Sequence, residues 1–163
     1  MADLIANPLR AGTTQLIAAG SAFALATALV TQFGFGYAPC ELCIWQRWPY
    51  VVAIVLGIVG WKVRSRADAT AFVLVGVTLA VMIDAGIAGF HVGVEQGWWQ
   101  GLAGCGASGG ADSLDDLRAQ IMSAPLVRCT DVAITVLGLS MAAWNGLFAA
   151  GLAFLGLRAI LKG

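Results

Sequence analysis

Charge is scarce in this chain. Asp, Glu, Lys and Arg make up 11% of its 163 residues, against roughly 25% in a soluble domain. Acidic and basic residues balance at nine each, so there is no basic excess to hold a nucleic-acid backbone. Histidine occurs once and cysteine four times, which leaves a zinc centre short of ligands at the usual spacing. The chain is too short for a second large domain. It carries no nucleotide-binding or haem motif.

What fills it is apolar. Hydrophobic residues are 60% of the total and mean hydropathy is +0.85. Four runs, about 15–33, 43–61, 71–93 and 132–155, are long enough to span a bilayer. The first contains Ser21-Ala22-Phe23-Ala24, whose small residues suggest a signal-peptide cleavage site. Its apolar stretch is too long for one and further spans follow, so it is expected to be an uncleaved span. Small residues recur within the runs, among them Ala18, Ala22, Gly57, Gly60, Gly86, Gly89, Gly93 and Gly146, and they suit close helix approach. The expected fold is an all-α membrane protein, one four-helix bundle over residues 1–163.

Orientation follows from the distribution of positive charge. Arg10, Lys62, Arg64, Arg66, Arg158 and Lys162 fall on one side. The loops at about 34–42 and 94–131 fall on the other, with Glu41, Asp112, Asp115, Asp116, Arg118 and Arg128. Both termini are therefore expected in the cytoplasm. All four cysteines lie on the outer side, where disulfides persist. In the second outer loop, Ser113 with Asp116 forms a capping box ahead of Leu114, Leu117 and Ile121. That pattern predicts a short amphipathic helix over 113–122. Glycines around Cys105 predict an open loop, and attack on a disulfide needs access to one sulfur.

The stretch Pro39-Cys40-Glu41-Leu42-Cys43-Ile44-Trp45-Gln46-Arg47 carries the chemistry. Two cysteines three apart at a helix start can close a small, easily reduced disulfide. Backbone N–H groups there favour a thiolate. Cys43 and Arg47 are four apart and share a helical face, so the guanidinium favours negative charge at Cys43 or on something bound beside it. The cysteines form two sequence pairs, Cys40/Cys43 and Cys105/Cys129, and three disulfide pairings are open. A disulfide at the membrane face, with no resident redox group, points to a lipid-soluble electron acceptor. Pro49 predicts a bend, or a later start to the regular helix. In the third run Asp84, His91 and Glu95 lie on one stripe. Glu95 is expected in the headgroup zone. His91 either joins it there or donates a hydrogen bond or shuttles a proton. Asp84 has no obvious partner.

The arrangement Pro39-Cys40-x-x-Cys43-Ile44-x-x-Arg47, the second outer pair Cys105 and Cys129, Trp144-Asn145 and the order of spans together resemble the DsbB family. These are bacterial inner-membrane proteins that reoxidise the periplasmic thiol oxidase DsbA and pass electrons to quinone. The resemblance implies disulfides Cys40–Cys43 and Cys105–Cys129, with Cys105 forming the mixed disulfide with a DsbA-like partner. Cys129 would then exchange with Cys40, and Cys43 and Arg47 would face a ubiquinone or menaquinone, with His91 as a further candidate. No metal is implied. Gln46 stands where some members carry glutamate, so that carboxylate is dispensable here or its role is filled elsewhere. Two other readings remain open at this level: a paralogue serving a dedicated partner, and a non-enzymatic scaffold with structural cysteines.

Overall fold

Asn7 opens the first helix. Its side chain accepts the Arg10 backbone N–H at 3.1 Å, and Pro8 follows where a missing N–H is no loss. Helix α1 (Pro8–Leu29) continues into a π turn, Val30–Gly34. The computed structural model describes residues 7–102, 113–115, 118, 128–132 and 134–162. After α1 come α2 (Glu41–Trp45), α3 (Arg47–Lys62) and α4 (Ala67–Glu95). A hairpin of β1 (Thr135–Val136) and β2 (Leu139–Ser140) precedes α5 (Met141–Lys162). Four segments, Pro8–Gly34, Glu41–Lys62, Ala67–Glu95 and Met141–Lys162, are long and apolar enough to cross a membrane. The fold is the expected all-α membrane bundle. The amphipathic helix expected over 113–122 lies mostly outside the described residues, as does Cys105.

The break expected near Pro49 is present, and one boundary differs from the sequence reading. The second apolar run is broken at Gln46 into α2 and α3. Pro49 then falls in the first turn of α3, where it interrupts no hydrogen bond. The fourth helix begins at Met141, not near Val132. The intervening residues pair as a hairpin, Thr135 opposite Ser140 and Val136 opposite Leu139. Leu137 and Gly138 turn the chain with φ of 53° and 80°, the left-handed pair a two-residue hairpin requires. Apolar content alone does not separate such a hairpin from a helix start.

Helix α4 is central and packs against α1, α3 and α5. Ile17, Tyr50, Ala53, Leu74, Val77, Val81 and Ala153 form the shared core. Phe23, Phe72, Leu79 and Phe154 point outward, as a surface solvated by lipid allows. Small residues let the helices close. A Cβ at Gly57 would overlap the Ala18 side chain where α3 meets α1, whereas one at Gly86 would meet nothing within 4 Å. Gly57→Val should therefore destabilise the bundle by about 1–3 kcal/mol. Gly86→Val should shift stability far less. Unfolding of both variants in detergent, followed by circular dichroism, checks the contrast; equal losses would mean that Gly57 is not a packing position.

Candidate functional site

The break between α2 and α3 builds the site. Cys40 caps α2, its sulfur accepting the Cys43 backbone N–H at 3.2 Å. This turn brings the two sulfurs within 2.6 Å of each other. A contact this close puts the two sulfurs where the Cys40–Cys43 disulfide implied by the resemblance would join them. The hydrogen bond with Cys43, and then burial, push the Cys40 thiol well above its ordinary pKa.

His91 of α4 reaches the same point. Its Nε2 lies 3.6 Å from Cys40 Sγ and 3.8 Å from Glu95 Oε1. The Glu95 side chain is only 6% exposed, turned inward beside the histidine. Cys129 is buried and disulfide-bonded, to a partner outside the described residues. The sulfurs of Cys40 and Cys129 and the near ring nitrogen of His91 all lie within 4.8 Å of one another. Four of the residues singled out in the sequence, Cys40, Cys43, His91 and Cys129, are thus brought together across a gap of many residues.

The same atoms make a poor metal cage. A sulfur in a disulfide is a weak ligand. Sulfur-to-sulfur exchange is the chemistry these distances favour, since each sulfur lies beside its next exchange partner.

Beside the sulfurs opens a cavity of 350 Å³, within the range of small-molecule sites. Cys40, Cys43, Arg47, His91 and Glu95 line its polar end, and Phe23 and Phe148 belong to its apolar walls. Arg47 is anchored by Gln32, whose side-chain oxygen accepts from Nη1 at 2.6 Å. Gln32 sits in the π turn, a helix irregularity that often marks functional positions. Arg47 Nε is buried without a partner among the described residues, which leaves a donor for an acceptor oxygen.

Behind His91 runs a chain of side-chain hydrogen bonds the sequence reading did not assemble. Gln46 Nε2 meets His91 Nδ1 at 2.9 Å. Asn145 Nδ2 donates to Gln46 Oε1 and to Asp84 Oδ2, each at 2.9 Å. The Tyr50 hydroxyl donates to Asn145 Oδ1 at 2.7 Å. Asp84, fully buried, thereby gains its partner. The signal available beforehand was the cost of polar groups inside spans: Gln32, Gln46, Tyr50, Asp84 and Asn145 each need a partner there.

The model of the family described as disulfide bond formation protein DsbB matches residues 10–159. The disulfide bond formation protein B 2 of Pseudomonas aeruginosa is 32% identical over 138 residues, 79% of this chain and 78% of that one. Disulfide bond formation protein B of Xylella fastidiosa is 31% identical over 140 residues, 82% of this chain and 79% of its own. The uncharacterized protein RP370 of Rickettsia prowazekii is 30% identical over 128 residues, 77% of this chain and 73% of its own. No solved structure matches. The family match takes in the whole stretch from the Cys40 cap to Asn145, and the chain belongs to the DsbB family of disulfide bond formation proteins.

Proposed function

We propose that this protein takes two electrons from a soluble dithiol oxidase of the DsbA kind and delivers them to a membrane quinone. A partner thiolate attacks Cys105 of the Cys105–Cys129 disulfide and displaces Cys129. The partner's second thiolate closes its own disulfide and frees Cys105. The two thiols left on Cys105 and Cys129 reduce the Cys40–Cys43 disulfide through a Cys129–Cys40 bond, and their own disulfide reforms. Cys40 and Cys43 then hold the electron pair and its two protons.

One observation supports this reading: the Cys40/Cys43 pair lies between Cys129 and an apolar cavity. A quinone suits the cavity because its tail is apolar and its reduction consumes two electrons and two protons. The unpartnered Arg47 Nε is a donor for one quinone oxygen, and Cys43 presents its sulfur to the same space. The test is direct. Purified protein, a reduced DsbA-like dithiol and excess quinone should together lose the quinone absorbance in proportion to dithiol oxidised. Loss of dithiol with no quinone consumed would defeat the proposal.

The reading also requires the bacterial inner membrane, with both termini cytoplasmic and all four cysteines outside. The basic residues Arg10, Lys62, Arg64, Arg66, Arg158 and Lys162 support this orientation. After reduction, an impermeant thiol reagent should label the cysteines in intact spheroplasts. Labelling that appears only once the membrane is opened would reverse the orientation.

A further inference from the structure

The side chains behind His91 form a directed network, and its direction has a chemical consequence. Tyr50 donates to Asn145 Oδ1, which turns the Asn145 amide group toward Gln46 and Asp84. One Asn145 N–H goes to Gln46 Oε1 and the other to Asp84 Oδ2. With its oxygen engaged, Gln46 can offer His91 Nδ1 only an N–H. An imidazole nitrogen that accepts a hydrogen bond carries no proton, and the tautomer is set by the bond the other nitrogen makes.

We propose that Gln46 and Asn145 are positioning residues that hold His91 as the neutral Nε2–H tautomer, so that its one N–H faces the Cys40 sulfur. The surroundings of Nε2 agree independently. Cys40 Sγ and Glu95 Oε1 both stand beside that nitrogen, and each can accept. The group that must donate therefore meets acceptors, and the group that must accept meets a donor.

The tautomer decides where the dithiol proton rests. With Nε2–H in place, the Cys40 sulfur accepts from His91 and from the Cys43 backbone N–H. Its own proton is then directed at the Cys43 sulfur, 2.6 Å away. The opposite tautomer would offer Cys40 a lone pair and draw that proton away from Cys43. The lock keeps Cys43, on the cavity side, as the accepting sulfur of the pair. Asp84 and Tyr50 act at a distance: they orient Asn145, which orients Gln46. The consequence for turnover rests on the thiol–quinone reading above; the tautomer itself does not.

The chain has one histidine, so ¹⁵N-histidine labelling of the full-length protein in nanodiscs reports a single ring. With the Cys40/Cys43 pair reduced, Nδ1 should be pyridine-like and Nε2 pyrrole-like. Gln46→Glu has the same shape but no N–H to give, and should move the proton to Nδ1. Gln46→Met should give a mixture, and Asn145→Leu should do the same by freeing the Gln46 amide to turn over. Losing the hydrogen bond from Nε2–H to the Cys40 sulfur should slow quinone-linked turnover of Gln46→Glu about tenfold, with the KM for the soluble dithiol partner unchanged. A wild-type Nδ1–H tautomer, an imidazolium, or an unmixed Nε2–H ring in Gln46→Met would each overturn the assignment. The expected tautomers in a protein that reduces no quinone would leave this inference standing and remove the functional reading instead.

Discussion

Cys129→Ser is expected to end turnover and to leave the chain covalently joined to its soluble partner. The reason lies in the sequence of exchanges. In the proposed route electrons enter at Cys105 and reach the inner pair only through the sulfur of Cys129, which lies within 4.8 Å of Cys40 Sγ. Serine cannot form a disulfide with Cys40, so the route is cut at its middle. The remaining Cys105 thiol attacks the partner's own disulfide, and no second cysteine of this chain can carry the resulting mixed disulfide forward. Non-reducing electrophoresis of the variant, isolated with the partner present, should show a long-lived complex that reductant dissolves. Cys105→Ser should show none. If Cys105→Ser traps the partner and Cys129→Ser does not, the roles of the two cysteines are exchanged.

The second large effect is expected at Arg47. Its guanidinium is held by Gln32 on one side and has a free donor on the other, with the Cys43 sulfur on the same cavity wall. Removing a charged donor to an oxygen in a buried site costs about 1.5–3 kcal/mol, or roughly ten- to a hundred-fold in quinone affinity or turnover. Arg47→Ala should show that loss. Arg47→Lys keeps the charge but gives up the planar fork that reaches Gln32 and the cavity at once, and its ammonium is more strongly hydrated. It should fall between wild type and Arg47→Ala. Exchange between the outer pair and the soluble partner should be nearly untouched in both. The measurements are the quinone KM and the single-turnover rate of partner oxidation. Unchanged quinone kinetics in Arg47→Ala would make Arg47 an interfacial anchor whose long side chain merely reaches toward the headgroups.

Much of this site is written in short stretches of the chain. Cys40, Cys43 and Arg47 lie within eight residues, and the helix start that brings the two sulfurs into contact is a local structure. Pro49 announces a break that the structure places at Gln46. The errors have local causes too. The hairpin at 135–140 reads as part of the fourth span because Val132, Val136, Leu137 and Leu139 are as apolar as a helix start. A lone carboxylate near a span end, as Glu95 is in the sequence, gives no sign that it packs against a histidine. Only the position of His91 one turn away shows why it is turned inward.

The sequence by itself determined the membrane class, the four apolar segments, their orientation as an expectation, and the place of the redox pair at a helix start. Those properties depend on composition, on charge near span ends and on spacings of three or four residues. Tertiary structure decided which polar groups meet. His91, Gln46, Asn145 and Asp84 are joined by hydrogen bonds across 45, 99 and 61 positions. Such contacts depend on how each helix is rotated about its axis and how closely it approaches its neighbours. The stripe of Asp84, His91 and Glu95 marks a face of α4, but nothing in the sequence says which residues of the neighbouring helices meet it. That is set by the close packing of small residues such as Gly57 against Ala18, and by the need of every buried amide and carboxylate to find a partner where water is absent.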